Sequence, residues 1–176
     1  MKKALLLLTL VFASLQVNAK DLDNKFYLGG EGLINMYTSY TVPGASILGG
    51  YRWNEFSAEV GFTKLTNDDW GQGLKFKSNN IFADVIYTQP LYDKLEFKGL
   101  VGLGLFHTKV YNTSDSLTWI YQHGKNETDL GVRAGIGLQY QIAPKWTADF
   151  TYKFQTNCNT FIGYMNIFSV GVRYYL

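Results

Sequence analysis

The sequence predicts an all-β fold, an eight-stranded antiparallel up-and-down transmembrane β-barrel. Three observations predict this fold class. After residue 19 the chain alternates apolar and polar residues with the two-residue period of a strand. The connections between the alternating segments are short and long in strict turn. The composition combines 16% aromatic residues and 18 glycines with only 3 prolines, a balance that is unusual for a helical protein.

The N-terminus has the features of a signal peptide. Two lysines precede an apolar run over residues 4–15, and Val17-Asn18-Ala19 has the small-x-small pattern of a cleavage site. A transmembrane anchor is the alternative, but the run is shorter than the roughly twenty apolar residues that a spanning helix needs. We therefore expect an exported protein cleaved after Ala19, with 1–19 as the signal peptide and 20–176 as the β-barrel domain.

Charge and cysteine content exclude several classes of protein. Removal of Lys2 and Lys3 with the signal peptide leaves 14 basic residues against 14 acidic ones. A chain without net charge has no overall attraction for polyanions, so we expect no nucleic-acid partner. Cys158 is the single cysteine of the sequence and cannot form an intramolecular disulfide. We interpret it as a free thiol, with an intermolecular disulfide as the alternative.

The first four alternating segments each have one apolar face without a charged residue. In the first, Phe26 and Ile34 share the apolar face while Glu31 lies on the other. Only Asn54-Glu55 separates the second segment from the third, which predicts a tight hairpin. These four segments are 26–34, 46–53, 56–63 and 81–88.

The last four segments follow the same rule. The sixth is the most regular, because apolar residues from Leu130 to Ile142 alternate with polar or small ones. Each segment has about ten residues, the length that a tilted strand needs to cross a bilayer. These four segments are 95–106, 129–142, 146–155 and 167–176.

Connection lengths predict how the barrel sits in the membrane. The long connections are rich in Asn, Ser, Thr, Asp and Gly. Short turns on the periplasmic side, long loops on the extracellular side and both termini in the periplasm give this alternation. The short connections are 54–55, 89–94 and 143–145. The long ones are roughly 35–44, 64–79, 107–128 and 156–166.

Alternation alone does not say which face points inward, since a soluble sandwich or lipocalin-like barrel has its apolar face inside. Small residues suit the crowded interior of a narrow barrel, and the polar faces contain many glycines, namely Gly102, Gly104, Gly131, Gly135 and Gly137. Aromatic residues near the turns suit a membrane interface, and they include Trp53, Phe56, Tyr87, Tyr140 and Trp146. We therefore predict apolar faces toward lipid.

With that orientation the lumen receives charges of both signs. An eight-stranded barrel is only just wide enough to be filled by its own side chains, so these charges are expected to pair across a closed lumen. A narrow ion path along the pairs is the alternative. The predicted interior network is Glu31, Arg52, Glu59, Asp84, Lys98, Arg133, Asp149, Lys153 and Arg173, with Glu96 and Asp129 on the same faces.

Several stretches resemble the OmpA-like and opacity-protein-like small outer-membrane barrels, namely Gly49 to Phe62, Val101 to Gly104 and Gly135 to Tyr140. The chain end is similar to the signal that the outer-membrane assembly machinery reads, here Ser169, Gly171, Tyr174 and Leu176, with Leu in place of the usual final Phe. The resemblance implies the Gram-negative outer membrane, contact with its lipid and lipopolysaccharide, and an assembly partner. It does not imply an activity, because such barrels serve many purposes.

Candidate catalytic groups are few. His107 and His123 flank Ser114, Asp115 and Ser116 in the third long connection, but their spacing forms no compact nucleophile and base. We predict no catalytic residue, cofactor or metal, since the histidines and nearby aspartates lack regular ligand spacing. An apolar cluster in the same connection is interpreted as a cap over the barrel, and its members are Leu117, Trp119, Ile120 and Tyr121.

The functional hypothesis is a non-enzymatic surface or structural protein of the cell envelope, whose loops bind a host or cell-surface ligand. Two alternatives stay open, a lipid A-modifying outer-membrane enzyme and a narrow channel.

Overall fold

The structure, a computed structural model, describes residues 22–37, 40–67, 74–112, 125–157 and 163–176. Eight antiparallel strands form a closed barrel in which β8 pairs back with β1. The predicted fold class is confirmed. No helix within the described ranges is long and apolar enough to span a membrane. The strands are β1 Lys25–Tyr37, β2 Tyr40–Trp53, β3 Phe56–Asn67, β4 Leu74–Tyr92, β5 Leu95–Asn112, β6 Lys125–Ala143, β7 Trp146–Asn157 and β8 Tyr164–Tyr175.

Tight turns connect consecutive strands at one end of the barrel. Asn54 and Asp93 adopt positive φ values of 52° and 32°, a conformation that hairpin turns require and that Asn and Asp tolerate. The prediction of a connection over 89–94 was too long. β4 continues to Tyr92 through an irregular register near Pro90, which has no N–H for the ladder and is accommodated at such irregularities.

At the opposite end, the predicted long connections were wrong over much of their length. β1 and β2 pair up to Tyr37 and Tyr40, so 35–37 and 40–44 belong to paired strands. β4 and β5 pair up to Leu74 and Asn112, and β6 begins at Lys125. The strands at this end therefore extend well past the segments that alternation predicted.

The missed strand ends have a common physical cause. Within the predicted segments the apolar residues point outward. Beyond these segments the polar residues point outward and the apolar residues point into the lumen. Thr41 and Lys64 are exposed, while their neighbours Val42 and Leu65 are buried in the lumen. A strand outside the hydrocarbon meets water on its outer face, so its apolar residues turn inward. A search for strands with an apolar outward face therefore stops where the outward residues become polar, and it assigns the rest of the strand to a polar loop.

The outer surface is an apolar belt. Phe26, Ile47 and Val101 are each more than 60% exposed, an amount of apolar surface that lipid would cover. Aromatic rings contact one another at the turn end of this belt. Phe26 lies 4.8 Å from Tyr51 between ring centroids, and Trp146 lies 4.9 Å from Tyr174. This arrangement is typical of the aromatic girdle at a membrane interface.

Candidate functional site

The charged side chains on the inward faces form an ionic network across the lumen, centred on Arg173. Its Nε donates to Glu59 Oε2 at 2.9 Å, and its Nη2 donates to Glu31 Oε1 at 3.2 Å. Its Nη1 donates to Asp149 Oδ2. The Tyr27 hydroxyl donates to Glu59 Oε2 at 3.1 Å. One buried guanidinium therefore joins carboxylates from β1, β3 and β7.

Two lysines complete the centre of the ionic network. Lys153 Nζ donates to Glu31 Oε2, and Lys98 Nζ donates to Asp149 Oδ1 at 3.2 Å. Thr151 donates a further hydrogen bond to Asp149 at 3.0 Å. Both carboxylates thus face two cationic groups each, counting Arg173. A buried charge is tolerated when it is paired and hydrogen-bonded in this way.

Arg133 and Asp84 form a second pair at the side of the network. Arg133 Nε lies 3.2 Å from Asp84 Oδ1, although the atoms are not aligned for a hydrogen bond. The guanidinium of Arg133 stacks over the ring of Phe82, with its carbon 4.0 Å from the ring centroid. Phe82 is buried, so this cation is held by charge on one side and by an aromatic face on the other.

The end of the barrel with the tight turns has its own pair. Arg52 binds Glu96 through two parallel hydrogen bonds of 2.7 and 2.9 Å, the bidentate geometry that makes such pairs strong. Gln139 donates to the same carboxylate at 3.1 Å. Below it, Asp23 lies 3.3 Å from Arg52 Nε, and Leu22 is buried beside Tyr27 and Tyr175. The residues that precede β1 therefore close this mouth of the lumen.

Glycines make room for these large side chains. A Cβ at Gly61 would overlap the Phe82 ring, and one at Gly171 would lie 2.8 Å from Asp149 Oδ2. A Cβ at Gly102 would overlap the carboxylate of Asp84. The inward glycines are therefore paired in space with the bulky groups that fill the lumen, which explains why small residues alternate with charged ones.

A feature that sequence reasoning missed is an apolar cluster inside the lumen toward the end opposite the tight turns. We call it the outer apolar cluster, and it consists of Leu33, Val42, Leu65, Phe76, Met165 and Ile167. Four of the six lie in stretches that were predicted as long connections. The inverted alternation beyond the predicted segments was the signal that could have found them. Buried ion pairs thus fill the middle of the lumen, and apolar side chains lie toward its outer end.

His107 was predicted to lie at the start of a loop, which is wrong. It lies on β5, faces outward, and its Nδ1 is 2.8 Å from Thr128 Oγ1 on β6. The other candidates of that connection, His123, Ser114 and the predicted cap over 117–121, lie outside the described residues, as do Cys158 and the cleavage site at Ala19. Within the described ranges, no group of three or more His, Cys, Asp or Glu side chains is arranged to hold a metal ion.

The residues of the predicted assembly signal divide between the two faces of β8. Ser169 and Gly171 point into the lumen, and Tyr174 and Leu176 point outward. The backbone N–H of Leu176 donates to the Phe26 carbonyl oxygen at 2.9 Å. The last residue is thus tied to the first strand, where the barrel closes.

Comparisons with known proteins agree with this architecture. A family model described as "Outer membrane protein beta-barrel domain" matches residues 5–175. The chain is similar to the crystal structure of Neisserial surface protein A, with a TM-score of 0.69 and 19% identity, covering 86% of this chain and 97% of that one. No curated protein matches the chain significantly in sequence.

Two further solved structures show the same fold. One is the N-terminal β-barrel domain of Pseudomonas aeruginosa OprF, with a TM-score of 0.59 and 17% identity, covering 88% of this chain and 98% of that one. The other is Ail, the attachment invasion locus protein of Yersinia pestis, with a TM-score of 0.57 and 14% identity, covering 88% and 99%. At such identities these likenesses concern the fold alone.

Proposed function

The chain belongs to the outer membrane protein β-barrel family, and from this premise we propose that it is a non-enzymatic surface or structural protein with a sealed lumen. The family places the chain in the outer membrane. The observation that carries the proposal is the buried ionic network around Arg173, which occupies the centre of the barrel. The barrel then serves as a scaffold, and binding partners contact its outer surface.

The filling of the lumen argues against the channel alternative. A conducting barrel needs a continuous water path, and here charged side chains from strands that are not neighbours meet inside the lumen. Arg173 on β8 and Glu59 on β3 are three strands apart around the wall, yet they form a hydrogen bond of 2.9 Å. Opening a path would require these ion pairs to separate in a low-dielectric interior, where that separation is unfavourable.

The long strands support an interaction role at the extracellular side. β4, β5 and β6 have 18 or 19 residues, whereas β3, β7 and β8 have 12. The three long strands therefore project beyond the rest of the wall as a small sheet. Ail, which shares the fold, is named the attachment invasion locus protein. We extend surface attachment to this chain, with a host or cell-surface ligand as the partner.

Conductance in planar bilayers tests the sealed lumen. We expect no steady unitary current from the refolded protein, because the ionic network leaves no open path. A matched variant, Arg173→Ala, removes the central cation and is expected to give flickering current if it folds. Steady currents from the unaltered protein would show that the lumen conducts and would overturn the sealed scaffold.

Lipid A composition tests the non-enzymatic assignment. We expect mass spectra of lipid A to be the same in wild-type cells, in a deletion strain and in a strain that carries His107→Ala with His123→Ala. His107 faces outward beside Thr128, so this pair of substitutions removes the imidazoles that a lipid-modifying mechanism would use. A lipid A species that depends on the intact histidines would establish an enzyme.

Export and assembly follow from the same premise. We propose cleavage after Ala19, which would leave Leu22 close to the new N-terminus and free to enter the periplasmic mouth where it is buried. We also propose that the assembly machinery reads Ser169, Gly171, Tyr174 and Leu176. Lipopolysaccharide and outer-membrane lipid are the proposed surroundings of the apolar belt, and no nucleic acid is involved.

A further inference from the structure

All outward charges on the described strands have one sign. Among the strand residues whose side chains the structure describes, every Asp, Glu, Lys or Arg that points outward is a lysine. Lys64 and Lys77 are exposed, and Lys75 and Lys109 are half-buried. These four residues lie on three consecutive strands, β3, β4 and β5, and we call them the lysine patch.

The register brings the lysine patch together. Lys77 lies directly opposite Lys109, and Lys64 lies opposite Asn79, one outward position from Lys77. His107 is on the same face, opposite Asn79. Cationic side chains that lie side by side on one face can contact a multiply charged anion together, so the cluster is suited to such an anion.

The depth of the lysine patch matches that of lipid headgroups. On β3, Lys64 is the next outward residue after the apolar Phe62. On β4, Lys77 is two outward positions beyond Ile81, and on β5, Lys109 is two beyond Leu105. At about 3.3 Å per residue along a tilted strand, the charges begin roughly 5–10 Å past the hydrocarbon edge. Headgroup phosphates lie in that layer.

Two shallow apolar grooves run down the wall below the lysine patch. The first has a volume of about 620 Å³ and ends at Phe62 and Ile81, immediately below Lys64 and Asn79. The second, of about 500 Å³, has Ala58 and Ala83 among its lining residues. Both are on the outward surface of β1–β5, so they face lipid. Their width comes from small residues among larger apolar ones, which suits extended acyl chains.

We propose that the lysine patch and the grooves beneath it form a binding site for the lipid A part of lipopolysaccharide. The lysines contact its phosphates, and the grooves receive its acyl chains. A soluble sulfated glycan would use the lysines alone, and it is the grooves that favour a lipid. The inference rests on the proposed function, since it requires the barrel to stand in the outer membrane with its long strands outside.

The test measures lipid A affinity on the refolded protein in detergent by native mass spectrometry, with bis-phosphorylated lipid A as the probe. We expect Lys64→Gln with Lys77→Gln to weaken binding about 25-fold, because a lysine near an anionic lipid surface contributes about fivefold. Lys25→Gln with Lys145→Gln removes the same charge at the periplasmic side and should change affinity less than twofold. Monophosphorylated lipid A should bind the unaltered protein more weakly.

A second variant tests the grooves without touching charge. Ala58→Phe with Ala83→Phe fills the second groove from the lipid side, and we expect it to weaken lipid A binding several-fold while heat-modifiable gel migration shows a folded barrel. This variant decides the question if the lysine variant does not fold.

Two results would overturn the inference. One is equal lipid A affinity in the lysine variant, the groove variant and the unaltered protein. The other is a loss of heparin binding in the lysine variant with lipid A binding intact, which would assign the patch to a glycan. Neither result touches the sealed lumen, whereas steady conductance or histidine-dependent lipid A modification would count against the proposed function alone.

Discussion

Arg173 contacts three carboxylates from a single buried guanidinium, those of Glu31, Glu59 and Asp149. Burial of so many charges is unfavourable unless each is paired, and pairing here depends on geometry at one residue. The fork of the guanidinium reaches several partners at once, which a lysine ammonium does less well. Arg173 is therefore the position where one substitution affects the largest part of the network.

Arg173→Met is expected to lower the free energy of unfolding by about 3–5 kcal/mol, because it leaves carboxylates buried without their shared cation. Urea titration in phospholipid vesicles, read by the gel shift between folded and unfolded forms, measures this. Arg173→Lys keeps the charge and should lose less. Lys145→Met, at an exposed turn position, serves as the control for loss of a cation. Stability of Arg173→Met equal to that of the unaltered protein would show that the network does not hold the barrel together.

Gly61→Ala is expected to destabilise the barrel by about 1–3 kcal/mol, the usual effect of overpacking. Its Cβ would lie 2.8 Å from the Ile47 carbonyl oxygen and would overlap the Phe82 ring. Gly32→Ala is the matched control, because a Cβ there meets nothing within 4 Å. The same urea titration should separate the two. Equal unfolding midpoints would mean that the lumen is loosely filled.

The strands themselves change character along their length. Between the turns and the outer membrane surface they carry apolar residues outward, and beyond that surface they carry them inward, as Val42 and Phe76 show. These strands thus pass from an apolar environment to a polar one, and the outer apolar cluster forms a small core beyond the belt. The outer apolar cluster draws its members from β1, β2, β3, β4 and β8, and its packing stabilises the ends of these strands beyond the belt.

Hydrogen exchange tests this reading of β5. Backbone amides over 107–110 are expected to exchange slowly in D2O, because β5 pairs with both β4 and β6 there. Over 126–130 of β6, alternate amides should exchange quickly, since its pairing with β7 begins only at Gly131. NMR of the protein in nanodiscs resolves these amides. Uniformly fast exchange over 107–110 would indicate that these residues form a loop, as the sequence predicted, and not a paired strand.

The barrel has the reverse distribution of polar and apolar residues from that of a soluble protein. Its exposed surface over the central belt is apolar, and the charged side chains at the level of the belt point into the lumen. The orientation makes sense only if lipid covers the belt, because water would leave a large apolar area exposed. Closure of the sheet also removes free strand edges, the requirement for a sheet in hydrocarbon.

A charge placed on the belt tests this orientation. Val101→Arg is expected to lower stability in phospholipid vesicles by about 2–4 kcal/mol, the effect of a cation near the bilayer midplane. Thr41→Arg places the same side chain on the outward face beyond the belt, where we expect a change below about 0.5 kcal/mol. Urea unfolding of both variants in vesicles gives the comparison. Equal effects at the two positions would contradict a lipid-covered belt.

The sequence predicted the number of strands and the division of each strand into an apolar and a polar face, because the two-residue period is a local property of the backbone and needs no knowledge of neighbours. The prediction from sequence failed at the strand ends, where the strands leave the apolar belt. Lys64 and His107 were assigned to loops because the outward face becomes polar past the membrane, although the backbone remains paired.

By itself, then, the sequence determined an eight-stranded barrel with charged residues on its inward faces. Only the tertiary structure decided which charges meet. Arg173 reaches Glu31 over a separation of 142 residues and Glu59 over 114, and no local pattern contains those pairings. They follow from the closure of the sheet, which sets the stagger of the strands and so the level at which each side chain enters the lumen.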